Sequence, residues 1–234
     1  ELAGFYYGYA NRSLWPLLHY RLDIAQFDRQ SDRIYRSVNQ RFAARLFPQL
    51  DESDIVWVHD YHFFYLGSEL RQCSFKGRLG FFLHIPFPSY ELIRVLPWAE
   101  ELLRGVLGAD LIGFHTFGYM RHFLSAVSHT LGLTAHNGEL EVGQRAVRVD
   151  AFPMGIDYER YAQAAASEAA QAHERTYREA LRDTRVILSI DRLDYTKGIA
   201  QRLRAFELLL ERYPEWREQV SLIMLVVPSR DQVA

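Results

Sequence analysis

Six short apolar runs, separated for the most part by longer amphipathic stretches, constrain this chain more than any other feature of its sequence. They occupy residues 54–59, 78–85, 110–115, 146–152, 185–190 and 220–227. Each is roughly six to eight residues long and rich in Val, Ile, Leu and Phe, the pattern of a strand buried on both faces. The intervening stretches predict helices over 31–46, 63–73, 90–107, 117–131, 158–181 and 199–213. Strands alternating with helices of this length predict an α/β fold built on parallel βαβ units. Gly138 and Gly143 bracket a hairpin or loop that leads into the fourth run.

Phe152-Pro153-Met154-Gly155-Ile156-Asp157 marks the expected boundary, because a Pro and a Gly end a strand and a long polar helix follows. On this reading residues 1–155 form the latter part of one α/β domain and 156–234 the beginning of another, both incomplete. One continuous α/β domain is the alternative. A chain that opens on Glu and stops just after a strong strand reads as an internal fragment.

Composition narrows the class without naming it. The 234 residues are 49% hydrophobic and 24% charged, an ordinary globular balance. A net charge of −2 gives no global attraction to nucleic acid or anionic membrane, so any anion site must be built locally. The single Cys73 cannot form an intramolecular disulfide and fits a reducing cytoplasm. No apolar run approaches the roughly 18 residues of a membrane span. The aromatic opening has no basic segment of the kind a signal peptide starts with.

The polar residues cluster at the ends of the runs: His59-Asp60-Tyr61-His62, His84-Ile85-Pro86-Phe87-Pro88, His115-Thr116, Asp191 through Gly198, and Pro228-Ser229-Arg230-Asp231. Ligands of open parallel sheets bind outside the carboxyl ends of the strands, so these clusters are expected to face one crevice. Arg192 and Lys197 flank a turn that opens a helix with Leu203, Phe206, Leu209 and Leu210 on its inner face. Two cations at a helix N-terminus suit a phosphate. The plainer alternative pairs them with Asp191 and Asp194 in a solvated turn. Neither a Walker loop nor a GxGxxG fingerprint is present.

His84, held between an apolar run and two prolines, could read a sugar hydroxyl or be a core histidine satisfied by backbone. Asp60 could accept from sugar hydroxyls or orient His62, and no further acidic or Cys group completes a metal site around it. Tyr6 and Trp15, in an aromatic stretch around Asn11-Arg12-Ser13-Leu14-Trp15-Pro16, suit a sugar face or simple packing on the core. Arg230 is a second anion candidate, with a surface arginine as its alternative. Glu100 and Glu101 are adjacent on an expected helix and diverge, so they do not form the facing carboxylates of a glycosidase.

Taken in order, Tyr6 with Asn11–Pro16, Val56-Trp57-Val58-His59-Asp60-Tyr61-His62, Gly80 to Pro88, Asp110 to Thr116, Phe152 to Asp157, Asp191-Arg192-Leu193-Asp194-Tyr195-Thr196-Lys197-Gly198 and Pro228-Ser229-Arg230 resemble the trehalose-6-phosphate synthase family from end to end. The resemblance implies a GT-B glycosyltransferase with two Rossmann-like domains, the N-terminal on the acceptor side and the C-terminal on the nucleotide-sugar side. It implies a cytoplasmic enzyme of trehalose biosynthesis and osmoprotection that transfers glucose from UDP-glucose to glucose-6-phosphate with retention. Asp60, His84, Arg192 and Lys197 would then be catalytic. His84, Arg192 and Lys197 would bind the donor, and Tyr6, Trp15, Asp60 and Arg230 the acceptor. No cofactor, no metal, no nucleic acid and no membrane partner is implied; a homo-oligomer is left open. The usual Tyr-Asn-Gly segment of the family reads Tyr7-Gly8 here. The glycine-rich loop that closes on the donor and a later acidic motif lie outside these 234 residues, so the isolated chain is expected to be inactive. Alternatives within the family are a glucosylglycerol-phosphate synthase and a non-catalytic, regulatory relative.

Overall fold

The structure, a computed structural model, describes residues 1–182 and 184–228. It falls into two compact units, Glu1–Met154 and the part beginning at Gly155.

The first unit opens with a π-helical segment, Ala3–Leu14, that runs into the short helix α1 (Trp15–Leu18). Then come α2 (Arg29–Leu46), β1 (Ile55–His59), α3 (Leu66–Gln72), β2 (Arg78–Leu83), α4 (Tyr90–Ile93), α5 (Ala99–Val106), β3 (Leu111–Phe114), α6 (Phe117–Leu131), β4 (Glu139–Val142) and β5 (Arg145–Ala151). The strands form one sheet in the order β1-β2-β3-β5-β4. The first four are mutually parallel and β4 is an antiparallel edge. Gly143 takes a positive φ of 64° at the β4–β5 turn, as a tight hairpin requires.

Register decides what each face of the sheet carries. Val58 pairs with Phe81, Phe81 with Ile112 and Ile112 with Val149, and these four side chains are at most 4% exposed. On that face Gly67 of α3, Gly105 of α5 and Gly108 just beyond it let backbones meet. A Cβ at Gly108 would lie 2.2 Å from the Ser68 nitrogen, so only glycine fits there. The opposite face carries Ile55, Trp57 and Leu111, which remain 65%, 63% and 42% exposed. The apolar runs predict strands covered on both sides, whereas these three side chains stay exposed.

At the amino ends of the strands, Asp110 acts as a brace. Its carboxylate accepts from Arg71 at 2.6 Å and from the Leu79 backbone at 2.9 Å, and it pairs with Arg145 at 3.3 Å.

Two expected helices are broken. Residues 90–107 divide into α4 and α5 with Pro97 between them, where a missing N–H and ring clash stop helical propagation. Residues 158–181 divide into α7 (Tyr158–Ala165) and α8 (Glu168–Ala180), because the Ser167 hydroxyl caps the second piece by accepting from the Ala170 nitrogen.

The second unit contains α7, α8, β6 (Arg185–Arg192), α9 (Ile199–Arg212) and β7 (Val220–Val227). The two strands are parallel, with Arg185 opposite Val220 and Arg192 opposite Val227. Phe206, Leu209 and Leu210 are partly buried as the pattern of α9 predicts, but Leu203 is 53% exposed.

Candidate active site

In each unit the chemistry-bearing side chains stand at the carboxyl ends of the strands. In the first unit β1 delivers His59 and then Asp60, whose φ of 67° and ψ of 177° are a conformation that side chains other than glycine rarely adopt. Two contacts hold it there. The Asp60 nitrogen donates to the Phe82 carbonyl at 2.8 Å, extending the β1–β2 ladder, and the His84 nitrogen donates to Asp60 Oδ1 at 3.3 Å. Thus Asp60 and His84, 24 residues apart in the chain, are joined directly.

His84 is itself held by neighbours. Its Nε2 lies 2.9 Å from His59 Nδ1, and its ring meets that of His115 edge-on at 5.7 Å. Burial holds its pKa below the ordinary value of 6.5. The Asp60 carboxylate pulls upward, while His59 and His115 push further down. A neutral imidazole can both accept and donate, and its Nδ1 has no described partner. Beside it opens a cavity of about 440 Å³, lined by Trp57, His59, Gly80, Phe82, His84, Gly113 and Phe152 among others. Glycines at positions 80 and 113 leave the sheet surface hollow there.

The aromatic opening segment is helical and packs against the turn after Asp60. Tyr6 is partly buried and stacks on His62, with ring centres 5.6 Å apart and planes within 8°. Trp15 is only 4% exposed, against Tyr61 at 5.5 Å and His19 at 4.0 Å. Beneath them the Tyr35 hydroxyl donates to the Tyr61 carbonyl at 2.5 Å and accepts from the Phe64 nitrogen at 3.1 Å. Tyr35 is fully buried. The structure therefore brings Tyr6 to the turn that carries Asp60 and sends Trp15 into the packing beneath it.

In the second unit β6 ends on Arg192. Asp194, 9% exposed, caps the following turn by accepting from the Thr196 nitrogen at 2.9 Å and its hydroxyl at 2.8 Å. Asp191 pairs with Arg202 at 2.8 Å. Both carboxylates are thus engaged away from Arg192 and Lys197, and neither cation forms an ion pair with a described residue. Gly198, at φ 62°, precedes α9, and no side chain caps that helix. Its first amide groups thus lack a side-chain cap, next in the chain to two cations without an ion pair to a described residue.

Arg202 was not recognisable as a site residue from spacing. It sits one turn into an amphipathic helix, and only the folded turn brings it back to the strand. His59 carried a signal, being one residue before Asp60 at a strand end. Arg230 and Ser229 lie outside the described residues. Among those described, no group of three or more His, Cys, Asp or Glu residues could hold a metal ion, and no helix is long and apolar enough to cross a membrane.

Comparison with known proteins supplies the lineage. The model of glycosyltransferase family 20 matches residues 1–234. The α,α-trehalose-phosphate synthase (UDP-forming) 2 of Aspergillus niger is 45% identical over 233 residues, covering 97% of this chain and 48% of that protein. A trehalose-6-phosphate enzyme of E. coli, solved bound with UDP-2-fluoro glucose, superposes with a TM-score of 0.92 at 36% identity, over 100% of this chain and 52% of that one. An α,α-trehalose-phosphate synthase (UDP-forming) of Burkholderia xenovorans, solved in complex with glucose-6-phosphate, gives 0.91 at 35% identity, over 99% and 52%. The chain spans about half the length of each of these relatives. Matched along its entire length in sequence and in fold, the chain belongs to glycosyltransferase family 20.

Proposed function

We propose that this chain is the central part of a UDP-forming α,α-trehalose-phosphate synthase, which moves glucose from UDP-glucose to glucose-6-phosphate. The observation that carries the reading is 45% identity to a UDP-forming synthase over nearly the whole chain. The first unit serves the acceptor and the transferred sugar; the second holds the nucleotide-sugar diphosphate.

Arg192 and Lys197 meet the diphosphate and stabilise the charge that develops as the bond from glucose C1 to the phosphate oxygen breaks. Retention, as the family resemblance implies, fits an acceptor hydroxyl that enters on the face the diphosphate leaves, with its proton passing to the departing phosphate oxygen. His84, kept neutral, donates to or accepts from a hydroxyl of the transferred glucose, and Asp60 accepts from hydroxyls beside the reacting centre. Tyr6 and Arg230 contribute to the acceptor side, and Trp15 supports it from below. The reaction so written requires no metal, and the protein works in the cytoplasm.

A matrix of nucleotide-sugar donors against phosphorylated acceptors, assayed on the complete protein, tests this. UDP release with UDP-glucose and glucose-6-phosphate together is the expected result. Turnover with glycerol 3-phosphate in place of glucose-6-phosphate would overturn the acceptor assignment, and no turnover with any pair would overturn the catalytic one.

A further inference from the structure

One side chain on α9 reaches back across the whole anion turn. The Arg202 guanidinium donates through Nη2 to the Lys197 carbonyl oxygen at 2.6 Å. Through Nη1 it donates to the Ser189 hydroxyl and pairs with Asp191 Oδ2 at 2.8 Å. Ser189, inside β6, is 7% exposed, and the Asp191 and Arg202 side chains retain 26% and 34% exposure. Strand, turn and helix are thereby pinned at one point.

The electrostatic consequence is more specific than a structural brace. Asp191 adjoins Arg192 in the chain and shares with Lys197 the same cation, Arg202. A carboxylate in that position, left to itself, would draw in one of the two cations assigned to the donor diphosphate. Arg202 satisfies it instead. The guanidinium's fork geometry allows one group to hold a carboxylate and a carbonyl together, which an ammonium on a flexible stem does less well.

We propose that Arg202 is a positioning residue for the donor diphosphate: it fixes the Lys197 backbone and occupies Asp191, so that Arg192 and Lys197 reach the phosphates unneutralised. The inference rests on the donor-side reading of Arg192 and Lys197.

The test uses the complete protein and isothermal titration with UDP and with uridine, which lacks phosphates. R202Q weakens UDP binding about tenfold and leaves uridine binding within about twofold, because only phosphate contacts depend on free cations. Removing the carboxylate as well, in D191N/R202Q, restores UDP affinity to within about threefold of wild type. R202K, which keeps the charge opposite Asp191, falls between the two and serves if R202Q does not fold. UDP affinity unchanged in R202Q, or equally poor in R202Q and D191N/R202Q, would overturn the proposal while leaving the donor reading intact. Failure of the wild-type protein to bind UDP would instead overturn the donor reading, and with it this proposal.

Discussion

His59 Nδ1 and His84 Nε2 face each other at 2.9 Å from the ends of adjacent parallel strands. Only one of those two nitrogens can carry the bridging proton, so putting a proton on both would break the contact. Burial, His59 and His115 all hold His84 below 6.5, against the pull of Asp60. In the unfolded chain this histidine takes up its proton first. Its contribution to stability is therefore complete above about 6.5 and is lost as pH falls through the lower folded value. NMR titration should find His84 protonating below an ordinary histidine and moving upward in H59N, which removes the neighbouring titratable ring. A His84 titration that did not move in H59N would contradict the coupling.

The backbone of Asp60 gives a second measurement. At φ 67° and ψ 177° an alanine bears a steric cost that glycine does not. Both substitutions delete the carboxylate that accepts from the His84 nitrogen, so comparing them isolates the backbone. Asp60→Gly should be more stable than Asp60→Ala by roughly 1–2 kcal/mol in urea denaturation, although replacing either way removes the proposed sugar contact. Equal stabilities would mean the turn relaxes when the side chain is lost.

Much of this fold can be read from the residues alone. The six apolar runs all become strands and 117–131 becomes a helix with the same bounds, while Gly138 and Gly143 bracket only β4, the first arm of its hairpin with β5. Periodicity succeeds there because it is a local property. It fails at Pro97 and Ser167, where one residue's backbone chemistry overrules an otherwise continuous amphipathic pattern. It also misses the winding of Ala3–Leu14, since an aromatic-rich segment carries no clear helical period. The exposure of Trp57 is beyond the reach of pattern too: an apolar strand residue looks the same whether or not a helix lies over it. For the site, strand-end position was visible in the sequence, whereas partnership was not. That Asp191 and Asp194 turn toward Arg202 and Thr196 depends on how the turn closes.

Tyr35 connects the core to the turn after Asp60, and its hydroxyl is the only feature that phenylalanine lacks. Tyr35→Phe would remove both contacts of that hydroxyl, the one given to the Tyr61 carbonyl and the one taken from the buried Phe64 nitrogen. An unmet buried backbone group costs on the order of 1–3 kcal/mol, so a loss of about 2 kcal/mol is expected after partial relaxation. Chemical denaturation measures it directly. A variant as stable as wild type would show that these backbone groups find other partners.

Lys197 should separate function from stability most cleanly. Its ammonium forms no ion pair with a described residue, and Arg202 grips its backbone rather than its side chain. Truncation therefore leaves the turn's own hydrogen bonds in place. Lys197→Ala should shift stability by no more than about 0.5 kcal/mol, the usual range for a surface change. If the proposed role is right, the leaving diphosphate loses a positive charge where its own charge develops. Turnover by the complete protein should then fall by about 10²–10³-fold, with a larger effect on kcat/KM for UDP-glucose than for glucose-6-phosphate. Lys197→Arg, which restores charge without the same reach, should recover part of that loss. Unchanged turnover in Lys197→Ala would remove the electrostatic centre from the mechanism and favour a family member that binds sugar phosphate without transferring it.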